Sequence, residues 1–221
     1  MRSVLRVGVL ASGRGTNLQA ILDAAASGSL GAEVAVVVSN RRGAQALDRA
    51  RAAGVEALHL GPGAYPSRED YERALVGVLR ARGVGLVALA GFMLILGPTF
   101  LDAFPGRVMN IHPALLPAFP GVEAQKQAWE YGVKVAGCTV HFVDEGTDTG
   151  PVILQAAVPV LEADTAETLA ARILEQEHRL YPLSIRLFAE GRLRLEGRRV
   201  RIDWPPGEER SVAAAWSGLR C

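Results

Sequence analysis

From about residue 6 the chain alternates short apolar runs, rich in β-branched residues, with stretches where Ala and Leu recur at helical spacing. "RVGVLA" precedes a helix expected from about Thr16, "EVAVVV" one from about Ala44, and "EALHL" one from about Ser67. The run "GLVALAGF" is continuously apolar, a short helix follows from about Pro98, and "RVMNI" leads into "NIHPALLP", residues 110 to 117. Apolar runs without polar interruption predict strands buried on both faces, as in a parallel sheet with helices on either side.

The second half changes rhythm. After a helix near residues 123 to 131, "KVAGCTVHFVD" and "GPVILQAAVPV" are separated by the polar "EGTDT" and read as paired strands, which makes the sheet mixed. Asp164 with Glu167 is spaced as a capping box for a long helix to about Glu190, and "RLRLEGRRVRI" reads as a hairpin turning at Glu196 and Gly197. The pattern contains no internal repeat and no linker. It predicts one α/β domain over residues 1–202, with a Rossmann-like mixed, mostly parallel sheet flanked by helices, and a tail over 203–221 without clear period.

Composition narrows the partners. The 221 residues are 49% hydrophobic, enough for a substantial core, and the formal net charge of +1 supplies no field to hold a nucleic-acid duplex or an anionic membrane. No apolar run approaches the roughly 20 residues of a membrane-spanning helix, and the N-terminus lacks a signal-peptide pattern, so a cytoplasmic protein is expected. Cys138 and Cys221 have no metal-type spacing, and no His, Cys, Asp and Glu set is spaced as a ligand group. Neither metal nor disulfide is expected.

Four stretches could carry chemistry. In "LASGRGTNLQAIL", Gly13 and Gly15 lie between a buried strand and a helix, where free N–H groups and a partial positive charge suit an anion. The loop has neither the third glycine of a dinucleotide fingerprint nor a Gly-Lys-Ser/Thr, and Thr16 could instead simply cap the helix. In "NIHPALLP", Asn110 and His112 would point to the same side of an extended segment at a strand end, where α/β proteins place ligands. An amide can donate to a carbonyl oxygen gaining charge, an imidazole can move a proton, and Pro113 and Pro117 would restrain both. The loop "VDEGTDTG" offers Asp144, Glu145 and Asp148, and a carboxylate beside His112 would raise its pKa. Glu177 interrupts the apolar stripe of Leu169, Ile173 and Leu180; it needs a partner if buried, and otherwise sits at the margin of the stripe. His59, His141 and His178 have no such accompaniment.

In this order, "SGRGTNLQAI", "LAGFMLIL", "NIHPALLPAFPG", "VDEGTDTGPVILQ" and "EQEHRLYP" resemble the folate-dependent formyltransferase family over residues 6 to 195, nearly the whole chain. The Asn-x-His-Pro segment and the Asp loop are shared across enzymes that use 10-formyltetrahydrofolate. The glycine loop and the "EQEHRLYP" helix resemble the members whose acceptor is glycinamide ribonucleotide. The resemblance implies the formyltransferase fold and formyl transfer from 10-formyltetrahydrofolate as co-substrate to that amine, and it leaves a homodimer open.

It also implies roles. Gly15, Thr16 and Asn17 would hold the ribonucleotide phosphate and Glu177 its ribose. Arg68 would meet the glutamate end of the folate, and Met93, Leu94, Ile95 and Leu96 would contact the folate partly through backbone groups, with Asn110 also at the formyl group. Leu94 stands where some relatives carry Arg, and Arg14 could add a charge near the phosphate. Asn110 and protonated His112 would stabilise the oxyanion, with His112 as proton donor and Asp148 raising its pKa. Another amine acceptor, a formyltetrahydrofolate hydrolase and a non-catalytic nucleotide-sensing module are the competing readings.

Overall fold

A computed structural model describes residues 4–207 of the chain; Cys221 and most of the expected tail lie outside the described residues. Seven strands form one sheet in the order β3-β2-β1-β4-β5-β6-β7. These are β1 (Leu5–Leu10), β2 (Ala32–Ser39), β3 (Ala57–His59), β4 (Leu86–Leu89), β5 (Val108–His112), β6 (Val135–Phe142) and β7 (Val152–Pro159). The first five run parallel, while β6 and β7 are antiparallel to their neighbours, which gives the mixed sheet that the second half of the sequence predicts.

Strand alternation sorts the apolar residues into two cores. Val7, Val9, Leu86, Ala88, Met109 and Ile111 face one layer of helices, α1 (Thr16–Ala26), α5 (Ala124–Tyr131) and α6 (Ala166–Ala189). Leu10, Val87, Leu89 and Val108 face the other, where α3 (Arg68–Arg80) and α4 (Pro98–Leu101) pack, while α2 (Gln45–Ala52) contributes to the first core. Both faces of the sheet are therefore covered, and the unbroken apolar sequence of β4 follows from that. Gly8 marks the closest helix approach: a Cβ there would lie 2.6 Å from Leu79 of α3. Tyr181 of α6 is fully buried, with its hydroxyl 2.9 Å from the Leu89 carbonyl and 3.0 Å from that of Met109, which locks this helix beneath the ends of β4 and β5.

The winding direction reverses between β1 and β4, the place where open α/β sheets bind ligands. The loops after these strands are stitched together there. The Ser12 N–H donates to the Gly91 carbonyl at 3.0 Å, and the Ser12 hydroxyl accepts the Met93 N–H at 2.8 Å.

Two expected details shift by one residue. The capping box at the start of α6 pairs Thr165 with Thr168, because the Asp164 carboxylate is taken by Arg172 at 2.6 and 2.8 Å. The hairpin of β8 (Leu193–Glu196) and β9 (Arg199–Ile202) turns at Gly197 and Arg198, since Glu196 is already paired with Arg199 and Gly197 supplies the positive φ. Among the described residues, no helix is long and apolar enough to cross a membrane.

Candidate active site

The glycine loop is shaped by packing as well as by conformation. Gly15 has φ 73°, and a Cβ there would lie 2.8 Å from Ala46, so only glycine lets α2 lie against the start of α1. Gly15 itself is the N-cap and no side chain caps this helix, so Thr16 occupies the first helical position and does not cap it. The uncapped N-terminal N–H groups are free to meet an anion.

Asn17, in the first turn, reaches across to α6: its Nδ2 donates to Oε2 of Glu177 at 2.6 Å, a contact between residues 160 apart in sequence. Glu177 is 5% exposed, so it lies inside the apolar stripe and not at its margin. Burial pushes its carboxyl pKa up, and the Asn17 amide offsets only part of that. The Oδ1 of Asn17 is buried without a hydrogen-bond partner among the described residues. A buried acceptor beside a carboxylate of raised pKa suits a ligand that brings hydroxyl donors. Arg14 is exposed, and its carbonyl accepts from Arg49 Nε at 2.8 Å.

The segment after β4 presents its residues unequally. Met93 and Ile95 are 61% and 66% exposed, Leu94 is half-buried against the second core, and Leu96 is buried within it. Leu96 can therefore offer a ligand only backbone groups. Arg68, at the start of α3, is half-exposed and donates to the Ile95 carbonyl at 2.9 Å.

Asn110 and His112 both leave β5 on the side where Asp148 folds back. His112 Nδ1 lies 3.3 Å from Asp148 Oδ2, and Asn110 Nδ2 lies 3.5 Å from Asp148 Oδ1. The other ring nitrogen of His112, Nε2, is 2.8 Å from the Phe119 carbonyl, so both nitrogens face acceptors. Burial pushes the His112 pKa down; the Phe119 carbonyl and the Asp148 charge push it up without fully compensating. Asp148 acts in the upward direction, as expected, but the desolvation of a ring 4% exposed outweighs it. For Asp148, burial alone would raise the pKa, yet His141, the Gly121 N–H at 2.8 Å and His112 together hold it below the usual carboxylate range. Asp148 also has φ 55°, a strained conformation for a residue other than glycine and of the kind found where function fixes the backbone.

His141 has no accompaniment in the sequence, yet the structure puts it inside this cluster. Asn110 and His141 are directly opposite in the β5–β6 register, and Asn110 Nδ2 is 3.2 Å from His141 Nε2. His141 Nδ1 is 2.9 Å from the Phe142 carbonyl, and its Nε2 also lies 3.7 Å from Asp148 Oδ1, so the ring links Asn110 and Asp148. The loop after His112 is pinned by Thr139, whose hydroxyl donates to the Ala114 carbonyl at 2.7 Å and accepts the Leu116 N–H at 3.1 Å. Gln155 adds a bond from its amide to the Leu116 carbonyl at 2.9 Å. The restraint expected of Pro113 and Pro117 alone is therefore shared with two side chains from β6 and β7. His59 and His178 take no part in the cluster, and among the described residues no group of His, Cys, Asp or Glu is placed to hold a metal ion.

Residues 5–185 match the family described as Formyl transferase. The phosphoribosylglycinamide formyltransferase of Escherichia coli is 44% identical over 199 residues, which cover 90% of this chain and 94% of that protein. The trifunctional purine biosynthetic protein adenosine-3 of Drosophila pseudoobscura pseudoobscura is 48% identical over 191 residues, 86% of this chain but only 14% of that much longer protein. Among solved structures, glycinamide ribonucleotide transformylase 1 from Symbiobacterium toebii superposes with a TM-score of 0.89 at 64% identity, covering 90% of this chain and 94% of that one.

Proposed function

The chain belongs to the formyl transferase family, and on that premise we propose that it moves the formyl group of 10-formyltetrahydrofolate onto the amine of glycinamide ribonucleotide. The products are formylglycinamide ribonucleotide and tetrahydrofolate, a step of purine synthesis. One domain carries the reaction, in the cytoplasm and without a metal.

The observation that carries this reading is the convergence of Asn110, His112 and Asp148 after β5, with the uncapped start of α1 and the Asn17–Glu177 pair as the second part of the site. The uncapped start of α1 takes the phosphate, while the Asn17 and Glu177 pair takes ribose hydroxyls. Arg68 and the backbone of Met93 to Leu96 take the folate.

The amine nitrogen attacks the formyl carbon, and the C=O electron pair moves onto oxygen. Asn110 Nδ2–H and the Nε2–H of His112, exchanging the Phe119 carbonyl for the ligand, stabilise that oxyanion. When the carbonyl re-forms, the bond from carbon to the folate nitrogen breaks, a proton is delivered to that nitrogen through His112, and the former amine gives one up. Asp148 offsets part of the desolvation of His112, and the negative charge developing on oxygen adds to it at the moment when the imidazolium is needed.

Folate release measured with the ribonucleotide present, absent, or replaced by an amino sugar nucleotide tests the assignment. Release that requires the ribonucleotide is expected. Release without any amine would identify a hydrolase, release only with the sugar nucleotide another acceptor, and no release under any condition would leave a binding module.

A further inference from the structure

We propose that Glu72 is a positioning residue for folate recognition: its buried carboxylate holds Arg68 and the turn at residues 95–97 as one preformed unit. The proposal rests on the reading that Arg68 meets the glutamate end of the folate. Glu72 lies one turn after Arg68 on α3 and is only 2% exposed, an unusual place for a carboxylate unless donors surround it. Three do. The Gly97 N–H reaches it at 2.7 Å, the Phe100 N–H at 3.2 Å, and Arg68 Nε at 2.9 Å.

Arg68 then closes the unit by donating an Nη2–H to the Ile95 carbonyl. Of the five N–H groups of a guanidinium these two contacts use two, so three remain on a side chain that is 53% exposed. The segment carrying Met93 and Ile95 and the cation beside it thus share one buried anchor, and a ligand carboxylate meets a guanidinium whose orientation is already fixed.

Gly97 supplies an independent sign that this unit is built closely. Its φ of −96° suits any residue, yet a Cβ there would lie 3.0 Å from Arg68 Nη2 and 3.1 and 3.2 Å from the two Glu72 oxygens. Glycine is present for space, and the space belongs to the ion pair.

Steady-state kinetics of Glu72→Gln, Gly97→Ala, Arg68→Ala and the Glu72→Gln/Arg68→Ala double variant test this, with 10-formyltetrahydrofolate and with its pteroate counterpart lacking the glutamate. The Gly97 and Phe100 N–H groups bond different oxygens of Glu72, so Gln keeps an acceptor for one of them, and thermal melts verify folding. Loss of a charge-assisted contact raises the KM for folate about tenfold in Glu72→Gln, with kcat changed less than about twofold and the ribonucleotide KM unmoved. Gly97→Ala, which leaves the carboxylate in place but crowds it, gives the same signature. The increment vanishes in the Arg68→Ala background and with the pteroate co-substrate. An increment that persists in both would mean that Glu72 only caps α4, and an unchanged folate KM in Glu72→Gln beside a raised one in Arg68→Ala would also overturn the proposal. Arg68→Ala without effect on folate would overturn the folate reading of Arg68, and the proposal with it.

Discussion

Glu177 and Asp148 are both carboxylates largely removed from water, yet the protein treats them in opposite ways. Glu177 receives one amide from Asn17, and burial wins, so its pKa is pushed up. Asp148 lies beside two imidazoles and receives a backbone N–H, and these outweigh burial, so its pKa is held down. Groups whose surroundings push their pKa values apart divide the labour of a site. The first is suited to sharing hydrogen bonds with hydroxyls; the second keeps a fixed negative charge beside a ring that must gain a proton.

The comparison breaks most visibly at the acid end. Asp148→Asn keeps the shape and removes the charge, and His112→Ala removes the proton carrier. Each is expected to lower kcat by about a hundredfold or more, with far-UV circular dichroism and melting unchanged enough to show a folded chain. Near-normal turnover in either folded variant would remove them from the chemistry. Glu177→Gln should act differently, raising the KM for the ribonucleotide about tenfold through loss of a strong acceptor while leaving the folate KM alone. If it instead lowered kcat at saturating ribonucleotide, the two ends of the site would not be separable.

A smaller effect sharpens the account of Asn110. His141→Phe preserves a buried ring but takes away the ring nitrogen 3.2 Å from Asn110 Nδ2. One such hydrogen bond corresponds to a loss of about tenfold in kcat, with both KM values nearly unchanged. A change confined to KM would mean that His141 shapes a binding surface and does not orient the amide.

The two ends also differ in how far the sequence discloses them. At the ribonucleotide end, a glycine pair between strand and helix and a carboxylate interrupting an apolar stripe are both visible as pattern, though not that Asn17 would join them. At the acid end, the Asn-x-His spacing is visible, but its supports are not. His141 becomes a partner through the register of β5 against β6, which no tight turn sets. The Phe119 carbonyl and Gly121 amide are backbone groups presented by a loop in which Phe119 itself has φ 52°, and residue type does not encode them. The net direction for His112 is hidden for a related reason: the charge of a neighbouring carboxylate is legible in sequence, whereas the depth of burial that opposes it is not. The capping box slipped because Asp164–Glu167 and Thr165–Thr168 satisfy the same spacing, and only the pull of Arg172 on Asp164 decides between them.

The smallest expected effect is in stability, where the opposite shifts give opposite signs. A carboxyl with a raised folded pKa binds a proton more tightly in the native state than in the unfolded chain, so folding loses stability as pH rises from the ordinary value of 4.5 to the raised one. Asp148, with its pKa depressed, contributes stability that is present above its ordinary value of 3.8 and is lost as pH falls through the folded value. Measured against the native protein, Glu177→Gln should therefore gain in relative melting temperature as pH rises above 4.5, because Gln carries no proton to lose. Asp148→Asn should move the other way over the acid range, losing ground to the native protein as pH rises through 3.8. Parallel pH profiles for both variants would mean that the two carboxylates share one electrostatic environment, and the division of labour between the ends of the site would fail with it.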